Sequence, residues 1–122
     1  MTPTIRCNPS SSAEHLSFEW GKLTWFASAA LGNSSDMTVG RCILNPGKSN
    51  PRHQHPNCSE TLVVLQGRIA HTGPDGSEVE MNVGDTVTIP AGIWHHARNI
   101  GDEEAVLYIA FSSADRKTIG ET

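Results

Sequence analysis

What this sequence is short of narrows the field first. No stretch approaches the roughly 18–20 consecutive apolar residues needed to span a bilayer, and the longest apolar patch, 25–31, falls far short. The amino terminus, 1–9, holds no apolar run of the kind that forms a secretory signal core, so a cytoplasmic protein is expected. Cysteine is sparse: Cys7, Cys42 and Cys58 are odd in number and widely spaced. Such a set makes neither a disulfide framework nor a CxxC metal knuckle and suits a reducing compartment. Charge is sparse too, at 18% against a usual share of about a quarter. Nine Lys and Arg face thirteen Asp and Glu, for a formal net charge of −4. Without a basic excess, neither nucleic acid nor an anionic membrane is an expected partner. Aromatic residues are 6%, with a single tyrosine, Tyr108.

The residues that are plentiful tell the rest. Eleven glycines and seven prolines in 122 residues interrupt helices and call for frequent turns, which argues against a helical bundle. That length is room for one domain. Residues 1–17, rich in Ser, Pro and Asn, read as an N-terminal arm that is loose unless docked. Over 18–122 short β-forming runs alternate with turn signals. Candidate strands fall at 23–30, 37–44, 60–66, 68–72, 77–83, 86–89, 95–99 and 105–111. Gly73, Pro74, Asp75 and Gly76 have the chemistry of a hairpin turn between two of them. The stretch 112–119 is the one candidate helix. Evenly spaced short strands indicate a single all-β sandwich or small barrel.

Six histidines are conspicuous in so short a chain, and four form two tight pairs, His53/His55 and His95/His96. In an extended segment, residues two apart share a face, so the His53 and His55 rings project together. Glu60 heads the next β-forming run, and a loop through 56–59 can return its carboxylate beside them. His95 follows the rigid Pro90, Ala91, Gly92 turn, and a barrel can bring it to the same place. Three imidazoles and a carboxylate suit one first-row divalent ion: Fe, Mn, Ni, Zn or Cu. Four protein groups leave a six-coordinate ion two positions for water, substrate or dioxygen. A structural zinc would more often be closed by four ligands that include thiolates.

The spacings resemble those of the cupin superfamily. Its first motif is matched by Gly47, His53, His55, Glu60 and Gly67, and its second by Gly84, Pro90, Gly92, His95 and Asn99. The resemblance implies a double-stranded β-helix, a jelly-roll barrel holding a metal inside one end. It implies His53, His55, Glu60 and His95 as the ligands. The glycines, Pro90 and Asn99 then shape turns. His96 should point away from its neighbour. His15 and His71 lie outside both motifs and are expected at the surface, Cys58 reads as a buried thiol, and Trp94 as a packing residue. If Glu60 points inward, Leu62 and Val64 do as well. In the last strand either Val106, Tyr108 and Ala110 or Leu107, Ile109 and Phe111 line the barrel, and an inward Tyr108 would be a candidate catalytic proton donor.

Fold alone does not fix function. Within the resemblance, each motif occurs once, which sets aside the two-barrel oxalate-decarboxylase type. The germin-like secreted type is set aside for want of a signal peptide and a disulfide. Glu60 separates the chain from thiol dioxygenases that lack the motif glutamate, and no room exists for a helix-turn-helix domain. The expectation is a mononuclear metal-dependent dioxygenase acting on a small organic substrate, with Glu60 as ligand and base. A non-redox lyase or isomerase, or a ligand-binding module without turnover, is the alternative. A homodimer is expected, because sheet edges in this fold need covering.

Overall fold

The computed structural model describes residues 3–120, so residues 1–2 of the expected arm and 121–122 of the expected barrel lie outside the described residues. A 3-10 turn, Ser10–Ser12, precedes eleven strands. In chain order these are β1 (Glu14–Phe18), β2 (Gly21–Ala27), β3 (Thr38–Leu44), β4 (His53–Gln54), β5 (Glu60–Gln66) and β6 (Ile69–Thr72). They continue with β7 (Glu78–Met81), β8 (Thr86–Ile89), β9 (His96–Asn99), β10 (Ala105–Phe111) and β11 (Ile119–Gly120). A six-stranded sheet runs in the order β1-β2-β3-β10-β5-β8, facing a three-stranded sheet β7-β6-β9 and a two-stranded ribbon β11-β4. Every pairing is antiparallel, and the architecture is a jelly roll. No helix among the described residues is long and apolar enough to cross a membrane.

Alternation fixes which face of the large sheet is the inside. In β3 every second residue is buried, in β10 likewise, and in β5 the first three odd positions. The register then stacks inward side chains in rows across three strands. Phe111 lies opposite Glu60 and Thr38, Ile109 opposite Leu62 and Gly40, and Leu107 opposite Val64 and Cys42. These rows, with Trp25, Leu44, Ile69, Met81 and Ala97, form the core. A glycine inside β3 has a definite cause. A Cβ on Gly40 would stand 2.4 Å from Cε3 of Trp25, so only glycine lets the indole lie across the strand.

Alternation also settles the one register that the sequence leaves open. Leu107, Ile109 and Phe111 are the inward set, and Tyr108 is 39% exposed on the outer face with its ring against Phe26. Tyr108 therefore cannot serve as a proton donor in the barrel. Three further expectations need correction. The arm ends before residue 17, because residues 14–18 pair in register with β2. No helix forms over 112–119. A helix that short is marginal on its own, and here its backbone groups are taken by Asn57 and His55. His71 is buried at 5% exposure, because β6 is the central strand of the three-stranded sheet and is covered on both edges. His15 is exposed as expected.

The motif residues that are not histidine or glutamate do structural work at turns. Gly47, Gly67, Gly84 and Gly92 all adopt positive φ. Asn99 is 1% exposed, and its Nδ2 donates to the carbonyls of Leu44 (2.9 Å) and Glu103 (2.8 Å) while its Oδ1 accepts from Gly101 N. One side chain thus closes the β9–β10 connection and ties it to the end of β3. Asn99→Ala should cost about 2–4 kcal/mol, because the buried Leu44 carbonyl and two part-buried main-chain groups lose a partner at once. The shift in urea midpoint at constant m-value measures it, and a loss near zero would show that water replaces the amide.

Candidate metal centre

The centre is assembled by backbone pairing before any side chain is considered. His53 N donates to His95 O (3.0 Å) and His95 N to His53 O (2.8 Å), a reciprocal antiparallel bridge. Residues directly opposed in such a pair carry their side chains on the same face, and the two rings stand with centroids 4.4 Å apart. His55, two residues beyond His53, projects to the same side, 4.9 Å from the His53 ring. Gly92, at φ +79, completes the turn that delivers His95, and its N–H donates to His55 O at 2.9 Å. Glu60 comes from the head of β5, an inward position of the large sheet. Four residues separated in sequence thus bring one ligand atom each within 4.8 Å of one another. Two metal–ligand bonds of roughly 2.0–2.2 Å laid end to end span a little over 4 Å, so the cluster has the dimensions of one ion.

The hydrogen bonds around the rings decide their tautomers. His53 Nδ1–H donates to Pro51 O (2.7 Å), His55 Nδ1–H to Lys117 O (3.0 Å) and His95 Nδ1–H to Ile93 O (2.8 Å). A carbonyl only accepts, so each Nδ1 carries the proton and each neutral ring keeps its lone pair on Nε2. Two of those nitrogens meet the Glu60 carboxylate, at 3.0 Å from His95 and 3.2 Å from His55. Lone pairs facing a buried carboxylate repel unless a proton or a cation stands between them. The four groups form a concentrated set of acceptors, and carbonyls that orient ligating imidazoles are what metal centres use behind their ligands. A divalent transition ion fits the donor set.

Burial and mutual charge shift the group further. Burial works against the Glu60 carboxylate, yet in the metal-free cluster, where a proton on Nε2 takes the cation's place, hydrogen bonds and charge from His55 and His95 hold its carboxyl down at about 2. Burial pushes His53 down to about 4. For His95 burial also disfavours the cation, but the hydrogen bond and charge of Glu60 outweigh it and raise the ring. His71, stacked on His95 with centroids 5.6 Å apart, is lowered by burial to about 4. His71 is not one of the four. His96 also stays out of the cluster, as alternation requires.

One face of the cluster opens into a cavity of about 260 Å³. His53, His55 and Glu60 share its lining with an apolar wall that includes Trp20, Leu23, Trp25 and Ile109. Cys42 lines it as well, its thiol pushed up to about 12 by burial and by the Glu60 charge. Cys58 is 4% exposed, and burial raises its thiol too. Trp94 carries the Arg52 guanidinium over its ring. The sequence carries no signal of Arg116, which lines the cavity from the segment after β10, because nothing local marks where that segment returns. Nor did it mark Trp25, although a glycine within β3 is the trace that its ring leaves.

Comparison with known proteins agrees with this geometry. The cupin domain family model matches residues 40–111. A germin-like protein 3-5 of Oryza sativa subsp. japonica is 31% identical over 88 residues, 66% of this chain and 39% of that protein. The auxin-binding protein ABP19b of Prunus persica is 34% identical over 85 residues, 66% of this chain and 41% of that protein. The chain thus spans about two fifths of the length of the curated relatives it matches. Germin-like proteins, which the sequence reading set aside, are relatives over the barrel. Among solved structures, the oxalate decarboxylase–formate complex of Lactobacillus farciminis superposes with a TM-score of 0.81 at 22% identity, covering 90% of this chain and 34% of the other. Bacillus subtilis oxalate decarboxylase, an enzyme with Mn(II) centres, superposes at 0.80 with 24% identity, covering 91% and 30%.

The shifted histidines imply an acid-sensitive fold in the metal-free protein. His53 and His71 bind protons near 6.5 when unfolded and near 4 when folded, so the unfolded state holds more protons between those values and stability falls as pH drops through that window. His95, shifted upward, opposes part of this loss. Urea midpoints of chelator-treated protein should decline from pH 7 to pH 4, and His71→Leu should flatten the decline. An unchanged slope in that variant would remove His71 from the account.

Proposed function

The chain belongs to the cupin domain family, and from that premise we propose that it is a mononuclear metal-dependent oxidoreductase of dioxygenase type acting on a small organic substrate. One observation carries the reading: three Nε2 lone pairs and a buried carboxylate converge at the wall of an apolar cavity. His53, His55, Glu60 and His95 would hold one divalent ion. Among Fe, Mn, Ni, Zn and Cu, manganese is favoured. The carboxylate in the set suits it, and the Bacillus subtilis fold neighbour contains Mn(II).

A redox-active ion held there supplies electron exchange with dioxygen and polarisation of a coordinated substrate. The remaining roles fall to the chain itself. Trp20, Leu23 and Ile109 give the cavity an apolar wall, which would strengthen charge interactions beside it. Among the described residues Glu60 is the only carboxylate lining the cavity, and it is the base available to take a proton from bound substrate. His71, stacked behind His95, keeps that ring in orientation. A lyase or isomerase reading would call for a protein proton donor in the cavity. Tyr108 stands on the outer face, which leaves that role in the lyase or isomerase alternative to a histidine of the cavity. A homodimer through edge strand β1 is part of the same proposal, supported by the exposure of Leu16 and Phe18 on a strand paired on one side only.

Elemental analysis of protein purified without added metal should find manganese near one equivalent per chain, lost on substituting His53→Ala together with His95→Ala. Stoichiometric metal in that double variant would sink the ligand assignment. Substrate-dependent oxygen consumption by the loaded protein should accompany turnover, and Glu60→Gln should lower it about 100-fold or more. Turnover that runs equally well without oxygen would overturn the redox reading and leave the metal site standing.

A further inference from the structure

Among the described residues Arg116 is the one positively charged side chain other than histidine on the wall of the cavity, and no metal-binding motif accounts for it. Its guanidinium lies over Trp25, 4.2 Å from the ring centroid, and 5.3 Å from that of Phe111. Stacking on an aromatic face leaves the planar group's N–H donors directed around its edge. Nη1 donates to Thr118 Oγ1, and among the described residues no other hydrogen-bond acceptor engages the guanidinium. No described carboxylate lies within ion-pair distance of it. Glu60, Cys58 and, less strongly, Glu14 act on it only through space.

The backbone around Arg116 is fixed with unusual directness to the loop that carries the ligands. A single side chain, Asn57, holds both neighbours: its Nδ2 donates to Asp115 O (2.9 Å) and its Oδ1 accepts from Lys117 N (3.0 Å). Lys117 O in turn accepts the Nδ1 proton of His55. Two residues later β11 pairs with β4, Gly120 opposite His53. Arg116 is therefore held at a set position relative to His53 and His55, as a recognition residue must be.

We propose that the cavity selects a small organic carboxylate, with Arg116 binding the carboxylate and the apolar wall of Trp20, Leu23 and Ile109 receiving the hydrocarbon body. The inference rests on the metal-cupin reading above for what happens to the ligand, but not for its selection. Charge supports it. Three neutral imidazoles and one carboxylate around a divalent ion leave a net positive centre, to which Arg116 adds, while no second carboxylate lines the cavity among the described residues. An edge-on guanidinium matches a carboxylate through two parallel hydrogen bonds, which an ammonium cannot reproduce. The volume, about 260 Å³, is below the roughly 300–1,000 Å³ of sites for drug-sized molecules, so the body of the acid is short.

The test compares hexanoate with hexanamide, which share size and apolar chain and differ in charge. Calorimetric titrations use metal-loaded wild type, Arg116→Gln and Arg116→Lys, with metal content measured first in each. Wild type should bind hexanoate at least about tenfold more tightly than hexanamide. Arg116→Gln should lose that preference and Arg116→Lys keep part of it. Added salt should weaken hexanoate binding to wild type and leave hexanamide unchanged, a readout that needs no variant. Thermal melts separate lost recognition from lost packing of the Trp25 stack. A preference undiminished in Arg116→Gln would assign it to the metal alone and overturn the proposal, as would equal affinity for the two probes or no hexanoate binding at millimolar concentration. Repeating the pair on chelator-treated wild type keeps the two readings apart: a preference that survives metal removal belongs to Arg116, whereas wild type that never takes up metal overturns the metal reading alone.

Discussion

Three histidines of this barrel give their Nδ1 protons to main-chain carbonyls, those of Pro51, Lys117 and Ile93, and the chemistry of the cavity hangs on those three bonds. They fix the rings in one tautomer and leave three Nε2 lone pairs in the cluster, those of His55 and His95 against Glu60. Without them the imidazoles could donate to the carboxylate and the cluster would be an ordinary buried polar network. With them the cluster is rich in acceptors and short of donors. A low-dielectric interior makes that imbalance costly, and a cation relieves it. The carbonyls are themselves held by structure: Pro51 and Ile93 sit two residues before their histidines, while Lys117 depends on the return of the C-terminal segment.

That C-terminal segment links the centre to the cavity. It leaves β10 as an irregular stretch, meets Asn57 on either side of Arg116, and ends paired with β4. The ligand strand, the base of the His55 ring and the guanidinium over Trp25 are therefore parts of one hydrogen-bonded unit. The cavity is polar on the cluster side, cationic at Arg116 and apolar between. On the function proposed, such a division would hold a substrate in one orientation, which is itself a large part of catalysis.

The legible parts of the fold were those set by local pattern. Alternating β-formers marked 37–44, 60–66 and 105–111, and the strands appear there with the inward faces of β5 as its alternation required. Turn glycines and Asn99 were marked by spacing, since a positive φ or a buried amide admits few residue types. Other elements were hidden because their cause is not local. His71 has no signal of burial in its own sequence; it is buried because β6 is central. The stretch 112–119 has no capping pattern strong enough to hold a helix, and its backbone partners come from residues 55 and 57. Tyr108 and Leu107 were equally good candidates for the inside until pairing with β3 and β5 fixed the register.

By itself the sequence determined the four groups that meet, the turns that aim them and the class of barrel that brings them together. Those features depend on residue type and short spacing, which one dimension records. Tertiary structure alone decided which way Tyr108 faces, that each Nδ1 finds a carbonyl, that Trp25 floors a cavity against Gly40, and that Arg116 comes back to its wall. Each of these depends on which distant segment lies alongside, and the packing of a barrel, not the order of its residues, settles that.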